Sequence, residues 1–135
     1  MTIPELHDFL GEAFPQVADD FAVEDVTKDT LRVRLRVTEK HLRPGGTVSG
    51  PSIFALADVS AYLMTLARIG PKALAVTTNC SIDFMRKPAA GVDLISRTRL
   101  LKLGKLLSVC DVLVFSEGMD TPVARASLTY AIPPK

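Results

Sequence analysis

The segment from Ser49 to Ile69, with the sequence SGPSIFALADVSAYLMTLARI, determines the architecture that we predict for this chain. From Pro51 onward, apolar residues occur on every side of a helix with 3.6 residues per turn, and a helix of that kind in a soluble protein is buried. Pro51 suits the first turn of a helix, and Ser49 or Gly50 can cap it. A long central helix is therefore predicted over residues 51–69.

The sequence on both sides of this segment is typical of β-strands. Residues 31–37 alternate apolar side chains with arginines, which predicts a half-buried strand whose arginines face solvent or, as an alternative, a ligand phosphate. Other strands are predicted over residues 21–26, 73–85, 92–101, 106–115 and 123–132. Short turns connect them, so the sheet should be mainly antiparallel. With an N-terminal helix in residues 1–15, the predicted class is α+β, a curved antiparallel sheet of five or six strands wrapped round the central helix.

Length and charge limit the classes of function. The chain has 135 residues, which suits a single domain over residues 1–135. Its formal net charge is +1, from 16 basic and 15 acidic residues. That balance argues against an electrostatic nucleic-acid binder, which needs a basic excess on one face. The two cysteines, Cys80 and Cys110, are too few for a disulfide framework or a cysteine-based zinc site.

Two further features bear on where the protein works. The N-terminal residues 1–10 contain two acids and lack the basic start and the apolar run of a secretory signal. The longest apolar stretch, residues 53–69, contains Asp58 and Arg68 and is shorter than a membrane span. We expect a cytoplasmic protein that does not enter a membrane.

Asp58 is the strongest single candidate for chemistry. It is the only acid between Lys40 and Asp83, and it lies inside the apolar helix. A charge in that position costs free energy unless it is paired, hydrogen-bonded or close to water. One interpretation is a wet helix face on which Asp58 bridges other groups. The other is a carboxylate at a cleft, acting as general base or nucleophile.

The loop before the helix, residues 45–51, is a second candidate. Free backbone N–H groups at a helix start favour a developing oxyanion or a phosphate. The loop has neither the Gly-Lys-Ser/Thr of a P-loop nor a dinucleotide fingerprint. The two histidines, His7 and His41, lack partners at metal-ligand spacing, so no metal site is expected.

Two sequence motifs resemble a known family. Residues 49–62, SGPSIFALADVSAY, are similar to the central-helix motif of hotdog-fold acyl-CoA thioesterases of the phenylacetate-pathway type, in the 4-hydroxybenzoyl-CoA thioesterase-like superfamily. In that family a His-Gly-Gly turn leads into a helix that carries Leu-Ala-Asp. Residues 77–88, TTNCSIDFMRKP, resemble the strand that follows the helix and its Phe-x-Arg-Pro end. The resemblance covers about residues 31–132.

The resemblance implies a hotdog fold, hydrolysis of acyl-CoA, and a homodimer with two shared active sites, often paired into a dimer of dimers. No cofactor is implied, since coenzyme A is part of the substrate. Asp58 falls on the catalytic acid. Gly50 falls on the glycine whose backbone N–H polarises the thioester carbonyl, and Thr77 on a hydroxyl that helps to hold the attacking water.

The motif is not complete. Ser49 stands where the family has His, Pro51 where it has the second Gly, and Arg43 near a position that is often Asn. Side-chain donors near the thioester are therefore lost, whereas Asp58 and the Gly50 backbone remain. Two alternatives stay open, a non-catalytic acyl-CoA-binding hotdog protein and a hotdog hydratase or dehydratase, although the latter uses a His that the central helix lacks.

Two expectations concern the whole site. Four basic residues are candidates for the coenzyme A phosphates: Arg86, Lys87, Lys102 and Lys105. Eight residues separate Gly50 from Asp58, or about 12 Å along a helix axis. Reacting atoms must lie within about 3–3.5 Å of the catalytic groups, so one thioester cannot reach both from the same chain. An antiparallel helix of a second copy would bring its own Gly50 beside Asp58 and give two identical sites.

Overall fold

The computed structural model describes residues 1–134, and at its centre lies helix α2 (Gly50–Ile69). Every side chain from residue 60 to residue 66 is buried. By length and composition alone α2 could cross a membrane, because it begins before the apolar run of residues 53–69 that we judged too short. In α2, 56% of the 18-residue window that meets this test is buried inside the protein. The predicted central helix is thus confirmed and packs as a core element.

Six strands form one antiparallel sheet in the order β1-β2-β4-β5-β6-β3, which leaves β1 and β3 at its edges. The strands are β1 (Phe21–Val26), β2 (Thr30–Leu35), β3 (Val76–Phe84), β4 (Leu94–Leu103), β5 (Leu107–Ser116) and β6 (Ala124–Ala131). Helix α2 contacts all six, so the sheet wraps round it. This is the α+β hotdog arrangement that the sequence predicts.

Hydroxyl pairs fix the rotation of α2 against the sheet. Ser60 Oγ lies 2.6 Å from Ser96 Oγ on β4, and Thr65 Oγ1 lies 2.8 Å from Ser108 Oγ on β5. Each helix hydroxyl also donates to the carbonyl four residues earlier in α2. Bonded in this way, buried hydroxyls cost little and select one orientation. Near its N-terminal end α2 is less covered, and Pro51, Phe54 and Ala55 are exposed there.

The N-terminal helix α1 (Ile3–Ala13) packs Leu6 and Leu10 into the core. Thr2 and Glu5 form a capping box at its start. His7 is exposed, and its Nε2 accepts the Val23 N–H at 2.9 Å, a bond that attaches α1 to β1. The predicted ends of the helices and strands lie within three residues of those observed.

Arg32 and Arg36 of the arginine strand are exposed, as predicted for a solvated face, whereas Arg34 is not. Arg34 on β2 contacts three carboxylates, Glu24 at 2.8 Å, Asp93 at 3.0 Å and Glu117 at 2.6 Å. These bonds raise the pKa of Arg34 above its ordinary value. Asp93 Oδ1 also accepts the N–H of Val37, which lies just after the end of β2. Arg34 is therefore held in a structural ion cluster, which does not favour the phosphate alternative.

Candidate active site

The loop before α2 leads to a free backbone donor, the Gly50 N–H. Gly45 and Gly46 take φ angles of 104° and 84°, which favour glycine, and turn the chain towards the helix. Ser49 is the N-cap, and its Oγ accepts the Ser52 N–H. Pro51 has no N–H. Within residues 1–134 no acceptor reaches the Gly50 N–H, as expected at the first helical position. That N–H points along the positive end of the helix dipole.

Gly50 lies against the far end of β3. A Cβ built on Gly50 would meet Phe84 Cζ at 3.4 Å, so the glycine lets the aromatic ring approach the helix start. Phe84 is the last residue of β3 and is half-exposed. The oxyanion candidate is therefore located beside an uncovered edge of the sheet.

Asp58 lies at the opposite end of β3, where two hydroxyls bind one of its oxygens. Thr77 Oγ1 donates to Asp58 Oδ1 at 2.7 Å, and the Tyr130 hydroxyl lies 2.7 Å from the same oxygen. The Tyr130 hydroxyl is also 3.1 Å from the Asp58 carbonyl. Among the described residues, no hydrogen bond reaches Oδ2. The carboxylate is half-buried and oriented, with one oxygen left for other partners.

A β-bulge turns Thr77 towards the carboxylate. In the β3–β6 ladder Thr77 pairs with Tyr130 and Asn79 with Thr129, so Thr78 is the extra residue. The hydroxyl of this extra residue, Thr78, donates to the Thr129 carbonyl. A bulge shifts the alternation of side chains by one, and here it places Thr77 on the helix side of the sheet. The sequence predicted Thr77 at the site, and the structure gives its hydroxyl a direct bond to Asp58.

The groups around Asp58 stay neutral at physiological pH. Burial raises the pKa of Tyr130 well above its ordinary value, and the negative charge of Asp58 adds to the rise. Burial and the same charge also raise the pKa of the Cys80 thiol. No cationic side chain of the described residues forms an ion pair with Asp58. The carboxylate is therefore stabilised by hydroxyl donors and not by a counter-ion.

Asp58 and Gly50 do not meet within one chain. Asp58 contacts Thr77 near the start of β3, whereas Gly50 contacts Phe84 at its end. Helix α2 therefore runs antiparallel to β3, and the eight-residue separation of about 12 Å stands. The two strongest predicted residues are both close to the β3 edge but at opposite ends of it.

The predicted phosphate-binding residues also divide into two pairs. Lys102 and Lys105 lie around the β4–β5 turn, at the end of the sheet where Leu107 pairs with Ala131 and Thr77 with Tyr130. Arg86 and Lys87 follow β3 at the Gly50 end, where Arg86 Nη1 donates to the Pro122 carbonyl at 2.7 Å. The four side chains therefore do not form one cluster within a single chain.

Two other predicted substrate-binding residues have different surroundings. The Ser49 hydroxyl is used in the helix cap and also donates to Ser52 Oγ at 3.1 Å. Arg43 is exposed in the loop, and its backbone N–H closes the turn to the Thr47 carbonyl. Neither side chain points to a partner near Asp58. His41, which we left without a role, is buried and its Nε2 lies 3.5 Å from Asp20 Oδ2.

Tyr130 was missed by the sequence reasoning. It follows Ala124, Ala126 and Leu128 in the buried alternation of β6, so its side chain faces the helix. A buried tyrosine hydroxyl needs a hydrogen-bond partner. That requirement was readable from the sequence, although the identity of the partner depended on strand pairing.

Known proteins are similar to this chain in sequence and fold. The family model of the thioesterase superfamily matches residues 45–123. A crystal structure of a provisionally named thioesterase from Silicibacter sp. TM1040 is 57% identical, covers 99% of this chain and 93% of its own, and superposes with a TM-score of 0.93. A mutant of the phenylacetic acid degradation protein PaaI from Thermus thermophilus is 28% identical, with coverages of 88% and 99% and a TM-score of 0.75.

A further solved structure contains a ligand. A Streptococcus mutans UA159 protein bound to acetyl-CoA is 28% identical, with coverages of 85% of this chain and 90% of its own and a TM-score of 0.73. The family model spans more than half of the chain, and the helix motif of residues 49–62 that suggested the family lies within that span. The chain therefore belongs to the thioesterase superfamily.

Proposed function

We propose that this protein is an acyl-CoA thioesterase, in which Asp58 is the general base or nucleophile and the Gly50 N–H is the oxyanion donor. The observation that carries the proposal is the Asp58 carboxylate, held by two hydroxyls at the surface of a buried helix in a thioesterase-superfamily chain. Support for the ligand comes from the related protein with acetyl-CoA bound.

The proposed reaction is hydrolysis. In the general-base route, water attacks the thioester carbonyl carbon and gives its proton to Asp58. The oxyanion accepts the Gly50 N–H, the C–S bond breaks, and the sulfur leaves with the proton as free coenzyme A. In the nucleophilic route, Asp58 attacks the carbon, coenzyme A leaves, and water hydrolyses the resulting anhydride. Both routes yield the free acid and regenerate the carboxylate.

The site is completed by a second copy of the chain in this proposal. β3 is an edge strand, and antiparallel pairing of two β3 strands about a two-fold axis near Cys80 would bring the partner's Phe84 beside Thr77. The partner's Gly50 would come with it, next to Asp58. Exposed apolar side chains along this edge support the pairing: Phe54, Val76, Phe84 and Met85. A dimer of dimers is a further expectation from the family.

The same pairing of two β3 strands would bring the two separate pairs of basic residues to one composite site. Lys102 and Lys105 lie at the Asp58 end of one protomer, while Arg86 and Lys87 lie at the Gly50 end. Each composite site would then be flanked by two cations from each chain. Coenzyme A carries several negative charges, and partly exposed pairs with it would weaken as salt increases.

The test of the proposed function is release of free thiol from short-chain, long-chain and aryl acyl-CoAs. We expect turnover of at least one class. Asp58→Asn should lower kcat by about 100-fold or more while the protein stays folded, because the base or nucleophile is lost. Asp83→Asn is the matched control, since Asp83 lies on the other face of β3, paired with Arg125, and it should keep normal turnover.

Two results would contradict the proposal. If the protein binds acyl-CoA but releases no thiol from any of the three classes, it is the non-catalytic binding protein that the incomplete motif left open. If Asp58→Asn retains turnover equal to that of Asp83→Asn, thiol release does not depend on the carboxylate that we assign.

A further inference from the structure

The two hydroxyls on Asp58 divide the carboxylate into two unlike oxygens. Oδ1 is 2.7 Å from both Thr77 Oγ1 and the Tyr130 hydroxyl, whereas no described residue bonds to Oδ2. An oxygen that already accepts two short hydrogen bonds is a weaker base than one that accepts none. Chemistry at this carboxylate is therefore directed to Oδ2.

We propose that Tyr130 is a positioning residue for the thioesterase reaction, and that its hydroxyl, together with Thr77, holds Oδ1 of Asp58 so that Oδ2 is the oxygen that receives the proton or attacks the substrate. This inference rests on the proposed function. It assigns to Tyr130 a role that acts through Asp58 and needs no contact with substrate.

Tyr130 is built to remain a fixed neutral donor. Its side chain is only 4% exposed, and its ring lies 5.8 Å from the ring of Tyr62, which is itself held by a hydrogen bond to the Ala73 carbonyl at 3.1 Å. Burial raises the pKa of Tyr130, so the phenol keeps its proton at any working pH. A donor with one proton and a fixed ring can stabilise only one oxygen in one position.

The surroundings of Asp58 make the effect on pH dependence predictable. The groups that face it are the Thr77 hydroxyl and the Cys80 thiol on β3 and the Tyr130 hydroxyl on β6. Burial and the charge of Asp58 raise the pKa of Cys80, so the thiol stays neutral in the acid range. Donated hydrogen bonds favour the charged carboxylate over the neutral acid. Loss of one should therefore move the acid limb of activity towards higher pH.

The experiment compares two buried tyrosines of the same cluster. Tyr130→Phe should lower kcat about tenfold, leave KM nearly unchanged, and move the acid limb of the kcat/KM profile up by about one pH unit. Tyr62→Phe is the matched control, because it removes a buried hydroxyl that bonds to a backbone carbonyl and not to Asp58. Its pH profile should coincide with that of the unmodified protein.

A spectroscopic measurement gives a readout that does not require turnover. The chain has two tyrosines, so 3-fluorotyrosine incorporated into the Tyr62→Phe protein labels Tyr130 alone. Its ¹⁹F resonance should change with pH over the acid limb of activity, and this change should vanish in the Tyr62→Phe, Asp58→Asn double variant. 3-Fluorotyrosine is also a stronger donor than tyrosine, so the acid limb of activity should move down. If Tyr130→Phe fails to fold, the 3-fluorotyrosine protein still tests whether Tyr130 positions Asp58.

The outcomes separate this inference from the proposed function. If the unmodified protein releases thiol but Tyr130→Phe keeps its pH profile, or if both tyrosine variants shift alike, Tyr130 does not position the carboxylate. A ¹⁹F resonance that ignores acid titration also overturns the role. If no acyl-CoA is hydrolysed, the proposed function fails, and the ¹⁹F titration still decides whether Tyr130 holds Asp58.

Discussion

At the scale of single residues, Gly50 offers a direct test of the oxyanion role. Its N–H has no acceptor among the described residues, and Ser49 before it is extended with ψ of 154°, a conformation that a following proline accepts. Proline is also favoured at the first helical position. Gly50→Pro should therefore fold while losing the donor, and kcat should fall about 100-fold or more. Initial rates of thiol release measure the loss.

Gly50→Ala is the matched control for that variant. It keeps the N–H and adds a Cβ that meets the Phe84 ring at 3.4 Å, an ordinary van der Waals contact. Its activity should remain within a few-fold of normal. Equal loss in both variants would indicate that crowding against Phe84, and not the missing N–H, causes the defect.

The residue scale also shows how far the sequence could be interpreted. Asp58 stood out as a candidate because a lone acid in an apolar helix costs free energy unless it is paired or hydrogen-bonded, and the structure gives it two hydroxyl partners. Tyr130 was not identified, since it lies 72 positions from Asp58 in the chain and meets it only through the pairing of β6 with β3. The alternation of apolar and polar residues predicts which side chains of a strand face the core, but it does not predict which strand pairs with it.

At the scale of elements, the hydroxyls between α2 and the sheet make a testable pair. Thr65 Oγ1 bonds to both the Ala61 carbonyl and Ser108, whereas Thr98 Oγ1 is buried without a partner in the part of the chain that the structure describes. Thr65→Val should lower the free energy of unfolding by about 1–2 kcal/mol, because it removes two bonds and leaves the Ser108 hydroxyl with fewer partners.

Thr98→Val should act in the opposite direction. It replaces an unpartnered buried hydroxyl with a methyl group of similar shape, so the free energy of unfolding should rise by about 1 kcal/mol. Denaturant titrations at one fixed protein concentration compare the two variants. If Thr98→Val destabilises the protein as much as Thr65→Val, both hydroxyls are bonded in solution and the proposed difference between them is wrong.

Helices and strands were predicted well where the apolar pattern along the chain is sufficient. Features that depend on which strands pair were predicted less well. The central helix and six strands follow from apolar periodicity and turns. The bulge at Thr78 does not, because it is defined only against β6, and it is the bulge that turns Thr77 towards Asp58. The basic residues were grouped by charge alone. Their division between two ends of the sheet follows from strand direction, which no local pattern specifies.

At the scale of the whole molecule, the separation of Gly50 from Asp58 predicts that activity belongs to the dimer. In a composite site, Asp58 of one chain works with the partner's Gly50. An Asp58→Asn chain paired with a Gly50→Pro chain then has one site with both defects and one site with neither. After subunit exchange in an equal mixture, half of the dimers are mixed and half of their sites are intact, so about one quarter of normal activity should return.

Two controls make this complementation decisive. Each inactive variant incubated alone under the exchange conditions should remain inactive, and a mixture of Asp58→Asn with Asp58→Asn, Gly50→Pro chains should also stay inactive, because no intact pair can form. Light scattering should give a dimer or a larger even assembly for every variant. Because one thioester cannot span the roughly 12 Å between the two groups of one chain, activity in a strictly monomeric protein, or mixed dimers that form but remain inactive, would show that the partner's Gly50 does not complete the site.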